Sequence, residues 1–144
     1  MIHFKQFDNG LRLIINKMQG FVSASAGVMV KTGSINETEE NNGISHFIEH
    51  VMFKGTEKRS AFKISDHIDR IGAQINAFTS KELTCYYTKS TGEHLTDALE
   101  ILSDIFFNSV FDDKELDKER GVIIEEINMC EDTPDELLLD VLAV

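Results

Sequence analysis

The sequence lacks an excess of basic residues: 14 lysines and arginines stand against 25 aspartates and glutamates, and the formal net charge is −11. A surface that binds nucleic acid needs a basic patch to contact phosphates, so this balance argues against that class of partner. Long apolar runs are also missing, since no stretch approaches the roughly 20 residues that a membrane-spanning helix requires. Residues 1–10 carry no basic segment followed by an apolar one, the pattern of a secretory signal. We therefore expect a protein that binds neither nucleic acid nor membrane.

Cysteine is scarce as well. Cys85 and Cys130 lie far apart in the chain and neither belongs to a C-x-x-C pair, so we expect reduced thiols and a cytoplasmic location. A chain of 144 residues suits one domain with a core of modest size. Because the sequence stops inside the apolar run 137–144, we expect residues 1–144 to be an incomplete, truncated domain.

Hydrophobic periodicity predicts strands first, then helices, with a pair of strands between. Asn9-Gly10 between two alternating apolar runs predicts a β-hairpin, and the alternation in residues 22–31 is typical of a half-buried strand. Capping and periodicity predict further elements, which are helices over 42–55, 60–72, 92–107 and 112–130, strands over 73–80 and 83–90, and a last helix from Thr133. This order of elements predicts an α+β fold.

The stretch HFIEH, residues 46–50, carries a pattern that suits a metal site. On a helix, His46 and His50 lie about 40° apart with Glu49 beside them, while the apolar residues lie on the other side. Two imidazoles at this spacing can hold one zinc ion in tetrahedral geometry. Glu49 is placed to take a proton from water rather than to bind the metal. The same pattern also fits the solvated face of an ordinary helix.

The predicted helix 112–130 places two carboxylates in the middle of its apolar stripe. Glu119 and Glu126 lie in almost the same direction around the axis, whereas Glu125 lies at the margin. Ionised groups in an inward-packing stripe need a cation, which zinc would supply. Salt bridges to lysine or arginine are the alternative, and they fit less well because basic residues are few. Cys130 lies close to Glu126 on the wheel and is a rival ligand.

The segments HFIEHVMFKGT, GAQINAFTSKELTCYY and ERGVIIEEI resemble the M16 zinc peptidases, the pitrilysin-like or insulinase-like inverzincins. The resemblance covers nearly the whole chain and is closest to the N-terminal portion of bacterial members similar to the mitochondrial processing peptidases. It implies one Zn²⁺ per chain, held by His46, His50 and Glu126. It also implies that Glu49 is the general base, and that Glu119 is a carboxylate behind the ligands.

The resemblance implies a mostly antiparallel sheet with helices packed on one face, and metal-assisted hydrolysis of peptides or unfolded protein segments. Zinc would polarise the scissile carbonyl and lower the pKa of water to about 7, and Glu49 would move the proton. Members of the family bind their substrate as an extra strand. The matching stretch is Gln74–Thr79, with Asn76, Ala77 and Phe78 at its centre.

Family members resemble clamshells of two related halves, so the expected partners are a peptide substrate and a missing C-terminal half or partner chain. An apolar helix exposed at the truncated end would favour a homo-oligomer. One alternative is a truncated or partner subunit that is inactive alone. Another is an S-ribosylhomocysteine lyase, a class that shares H-x-x-E-H and would use Cys130 and Cys85, although the NAFTS and ERGVIIEE segments match the peptidases better. A site of two histidines and one glutamate selects weakly among divalent metals.

Overall fold

The computed structural model describes residues 1–135, 138 and 142. Over these residues the chain forms strands and helices in the order β1 (Ile2–Gln6), β2 (Arg12–Asn16), β3 (Ser23–Val30), α1 (Ile44–Val51), α2 (Ala61–Arg70), β4 (Gln74–Thr79), β5 (Thr84–Thr91), α3 (Leu95–Asn108) and α4 (Asp113–Glu131). The α+β fold predicted from the sequence is confirmed.

Strands β1 and β2 form the predicted hairpin, which is a separate two-stranded antiparallel sheet. Gly10 takes the left-handed conformation that the turn needs, with φ +87°, and Oδ1 of Asn9 accepts the N–H of Leu11 at 3.1 Å. Phe4 pairs with Ile14 across the two strands, and both side chains are exposed.

The other three strands form an antiparallel sheet in the order β3–β5–β4. The register aligns Val28, Tyr86 and Ala77 across it. Because side chains alternate along a strand, this row and every second row face the same side. Helix α3 packs over that side, where Ile101 and Ile105 are fully buried. The prediction of an antiparallel sheet with helices on one face is confirmed, and β4 lies at the edge of the sheet.

Helix α1 is shorter than the predicted range of 42–55, which was wrong at both ends. Gly43 stands at its N-cap in the left-handed region, with φ +86°, so the helix begins only at Ile44. At the other end the N–H of Lys54 bonds to the carbonyl of Val51 in a turn, and Gly55 follows with φ +145°. The resulting eight-residue helix contacts β4 and α4.

A buried ion pair fixes the loop between α1 and α2 onto α3. Asp104 accepts hydrogen bonds from Arg59 at 2.5 Å, from Thr56 at 2.8 Å and from Asn108 at 3.0 Å, and Arg59 also reaches Glu100 at 2.7 Å. Burial alone would raise the pKa of Asp104, but the hydrogen bonds from Thr56 and Arg59 outweigh it and hold that pKa below its usual value. The loop that follows the histidine helix is therefore tied to the core.

Helix α4 begins where it was predicted, with Oδ1 of Asp112 accepting the N–H of Lys114 at 3.0 Å. The predicted burial of its apolar stripe is wrong for the described residues, because Val122, Ile127 and Met129 are all exposed. The physical reason is that α4 packs chiefly against the short helix α1, which is too short to cover the whole stripe.

The last predicted helix, from Thr133, and the apolar run 137–144 lie mostly outside the described residues. In the part of the chain that is described, none of the helices has the length and apolar character to cross a membrane.

Candidate metal centre

Helix α1 places three polar side chains on the surface that faces its neighbours α4 and β4. Ser45 and Val51 are buried on its inner side. His46 and His50 reach a carboxylate on α4, and Glu49 reaches a hydroxyl on β4. The spacing of four residues thus aligns both imidazoles, as a helical pitch of 3.6 residues requires.

The two histidines and Glu126 converge on one point. Nε2 of His46 and Nε2 of His50 are 3.1 Å apart, and Oε2 of Glu126 lies 3.5 Å from Nε2 of His50 and 3.8 Å from Nε2 of His46. Zinc bonds of about 2.0–2.1 Å in a tetrahedron put ligand atoms about 3.3 Å apart, so this triangle fits a zinc ion. Among residues 1–135, 138 and 142 it is the group of three metal-ligating side chains found close enough to share an ion.

The structure places Glu126 beside both histidines, but Glu126 is not the buried acid that the helical wheel led us to expect. The side chains of Glu126 and His46 are 43% and 46% exposed, and that of His50 is 20% exposed. Glu126 is therefore not a buried charge, and burial gives it no need of a cation. Its position is explained by the crossing of α1 and α4, which turns three ligand atoms toward the same partly open space.

Glu119 is the buried acid of α4, with a side chain only 7% exposed. Its Oε2 lies 3.2 Å from Nδ1 of His50, and its Oε1 lies 2.6 Å from Nζ of Lys54. The alternative of a salt bridge to a basic residue is therefore correct for this acid, alongside the contact with the histidine. The contact of Lys54 was not predicted from the sequence, because this residue lies in the turn after α1 and not on its face.

The carboxylate of Glu49 is held by the edge strand. Thr79 donates a hydrogen bond from Oγ1 to Oε2 of Glu49 at 2.5 Å. Alternation along β4 places Thr79 on the inner face with Ala77, where it is the polar member, and this pattern could have identified it. Burial raises the pKa of nearby Tyr86 to about 12, with the charge of Glu49 adding to the effect, so this phenol stays protonated.

The start of α1 is capped from a distance. Gly43 has no side chain to cap the helix, and the carboxylate of Glu37 instead accepts the N–H groups of Gly43 at 2.7 Å and Ser45 at 2.8 Å. Burial would raise the pKa of Glu37, but hydrogen bonds with Ser45 and Gly43 outweigh it and lower that pKa. The glycine before the helix was the sequence signal for this contact, because it has no side chain and another residue must accept the first N–H groups.

The family model described as insulinase, peptidase family M16, matches residues 12–143, nearly the whole chain. The chain belongs to peptidase family M16.

M16 relatives match the same span. The chain is 52% identical over 135 residues to the "uncharacterized zinc protease YmxG" of Bacillus subtilis. The matched residues are 94% of this chain and 33% of that protein. The chain is 42% identical over 135 residues to the mitochondrial-processing peptidase subunit beta of Bos taurus, covering 94% of this chain and 27% of the relative. The crystal structure of a protease from Helicobacter pylori superposes with a TM-score of 0.90 at 27% identity, covering 96% of this chain and 34% of that one. The chain thus spans between 27% and 34% of the length of these three proteins.

Two sequence-predicted features can be placed within this M16 fold. Asn76 and Phe78 lie on the exposed side of the edge strand β4, and Ala77 between them is half-buried. Cys130 does not belong to the group of ligand atoms, and Cys85 is a buried thiol in β5. The lyase alternative, which needs Cys130 as a ligand, therefore has no support in the described geometry or in the family.

Proposed function

We propose that residues 1–144 are the N-terminal catalytic domain, in incomplete form, of an M16 zinc metalloendopeptidase that hydrolyses peptides or unfolded protein segments. One observation carries the proposal. Three ligand atoms, of His46, His50 and Glu126, lie 3.1–3.8 Å apart, near the spacing of a tetrahedral zinc site, with the carboxylate of Glu49 on the same helix. The similarity to YmxG, which is named as a zinc protease, supports the choice of metal and reaction.

In this proposal His46, His50 and Glu126 hold one zinc ion per chain. A bound zinc ion supplies Lewis acidity, which polarises a scissile carbonyl and makes a coordinated water easier to deprotonate. These three residues would hold the ion and would leave room for water, which catalytic zinc sites require. The partial exposure of His46 and Glu126 suits such a site, because water and substrate need access to it.

Glu49 is the proposed general base. Thr79 occupies Oε2 of this carboxylate, so Oε1 remains to accept a proton from the attacking water and to pass it to the leaving amine. The hydrogen bond also restricts rotation of the carboxylate, which keeps the base in one orientation toward the cluster.

The proposed substrate site is the edge strand β4 around Asn76, Ala77 and Phe78. An extended peptide can add to an unpaired strand edge through backbone hydrogen bonds, with alternate side chains pointing to opposite faces. Because Thr79 at the end of the same strand contacts Glu49, a peptide bound along β4 would run toward the base.

The complete enzyme is proposed to need more chain than residues 1–144. The matched relatives are about three times longer, and one of them is named as a subunit. We therefore propose that a C-terminal half, a partner chain or a second copy completes the substrate site. A cytoplasmic location, and a lack of nucleic-acid and membrane partners, stay predictions from the composition.

Metal content tests the ligand set. We expect roughly one zinc per wild-type chain after dialysis. In Glu126→Gln, loss of a direct ligand should weaken binding by about 100-fold or more, since even residues behind the ligands contribute 10–100-fold. Glu125→Gln is the matched control, because it removes the neighbouring charge of the same helix and should keep its zinc. Equal zinc contents in both variants, or no zinc in folded wild-type protein, would contradict the site.

Hydrolysis of an unstructured peptide tests the base. Glu49→Gln should keep its zinc but lose about 100-fold or more of the rate, because a general base contributes 10²–10⁴-fold. The assay is run with and without a supplied C-terminal half. Cleavage that appears only on mixing identifies a split enzyme, and an active Glu49→Gln variant rules out this role for Glu49.

A further inference from the structure

Glu119 has a different partner on each of its carboxylate oxygens. Oε2 lies 3.2 Å from Nδ1 of His50, and Oε1 lies 2.6 Å from Nζ of Lys54. Because the side chain of Glu119 is only 7% exposed, these contacts replace most of the water that a carboxylate normally binds. The proposed reaction gives the lysine no role, although it is one contact removed from a metal ligand.

Lys54 reaches Glu119 from the end of the histidine helix. Its backbone N–H bonds to the carbonyl of Val51 at 3.1 Å, in the turn that closes α1. Lys54 and His50 therefore project from the same helix end and meet one carboxylate on α4. With its side chain 30% exposed, the lysine lies between solvent and the buried acid.

A carboxylate with a single partner can rotate and exchange its two oxygens. With Lys54 on Oε1, the other oxygen faces Nδ1 of His50, and that nitrogen must carry a proton to donate to it. Nε2 of His50 then keeps its lone pair, and this is the atom that lies 3.1 Å from His46 and 3.5 Å from Glu126. We propose that Lys54 is a positioning residue, which acts through Glu119 to set the tautomer and the ring orientation of His50.

This inference rests on the proposed zinc site for its consequence, but its first readout needs no metal. Ring ¹⁵N NMR of the metal-free protein should show His50 as the Nδ1–H tautomer in the wild type and a mixture of tautomers in Lys54→Met. Lys54→Arg keeps a cation beside Glu119 and should retain the wild-type tautomer. Lys58→Met removes the same charge from an exposed lysine of the same loop and should leave His50 unchanged.

Zinc affinity is the second readout, measured with Zn²⁺ alone in competition with a chelator. Lys54→Met should bind zinc roughly 10–100-fold more weakly than wild type, the usual effect of losing a group that orients a ligand. Lys54→Arg should recover most of the affinity, and Lys58→Met should match the wild type. If Lys54 served stability alone, Lys54→Met would lower the free energy of unfolding and would change neither the tautomer nor the zinc affinity.

The outcomes separate this inference from the proposed function. An Nε2–H tautomer of His50 in the wild type overturns the role of Lys54 without any variant, even if Lys54→Met fails to fold. An unchanged tautomer and an unchanged affinity in folded Lys54→Met overturn it as well. Wild-type protein that binds no zinc overturns the proposed function, while the tautomers still decide for or against Lys54.

Discussion

Two clusters of side chains join distant parts of the chain. One is the ion pair of Arg59 and Asp104, and the other contains His46, His50 and Glu126. In the first, opposite charges face each other, and Asp104, with a side chain 2% exposed, also accepts hydrogen bonds from neutral donors. In the second, two imidazole nitrogens and a carboxylate oxygen converge, and all three atoms can offer lone pairs.

The difference lies in what each group still lacks. The Arg59–Asp104 network contains its own cation and is closed, so it stabilises the fold by itself. The histidine cluster offers electron pairs from three atoms and is partly exposed, so a cation would complete it. The two clusters thus differ in charge balance and in exposure, and the proposal of a metal site applies only to the second.

The largest expected effect comes from breaking the closed network. Asp104→Ala leaves Arg59 without its buried partner, and we expect the free energy of unfolding to fall by about 3 kcal/mol, the lower end for a broken buried pair. Urea unfolding measures this. Glu100→Gln, at the exposed side of the same arginine, should cost less than about 1 kcal/mol. Zinc content per folded chain should be unchanged in both variants. A loss of zinc would show that the histidine cluster depends on the Arg59–Asp104 network.

Acid should weaken the closed network and the cap of α1 together. The pKa values of Asp104 and Glu37 are lowered in the folded state, so the unfolded chain binds more protons in this range. Their stabilisation is fully present above the unfolded carboxyl pKa of about 4 and is lost as pH falls through the lower folded values. Urea midpoints between about pH 6 and 3 should fall less steeply in Asp104→Ala than in wild type. Parallel curves would contradict this assignment.

The smallest effect is expected at the start of the histidine helix. Glu37→Ala removes the acceptor for the N–H groups of Gly43 and Ser45, which should cost about 1 kcal/mol, typical of a lost N-cap. If α1 must be ordered to hold the metal, zinc affinity should fall by roughly fivefold. Glu39→Ala, in the same loop and exposed, is the control. If Glu37→Ala lost stability but kept full zinc affinity, Glu37 would contribute to stability alone, as Asp104 does.

Local patterns predicted most of the fold. The Asn9-Gly10 turn, the alternation of β3 and the cap at Ser60 each depend on neighbouring residues, and all are found in the structure. The ends of α1 were missed because Gly43 and Gly55 take positive φ on either side of the helix, which periodicity does not reveal.

The candidate site was predictable only along each helix. The wheel chose Glu126 over Glu125 because one helix fixes that relation. The contacts of Lys54 with Glu119, and of Thr79 with Glu49, join separate elements and depend on how the elements pack. Exposure of the α4 stripe was missed for the same reason, since periodicity identifies an apolar face but not the element that covers it.

The histidines lie on α1 and Glu126 on α4, with α2, β4, β5 and α3 between them in the chain. An ion that bonds to both helices would join residues about 75 positions apart, which the unfolded chain does not hold together. The folded chain already holds them close together. A zinc ion at this crossing would therefore bind the folded chain far more tightly than the unfolded one, and a chelator would lower the free energy of unfolding.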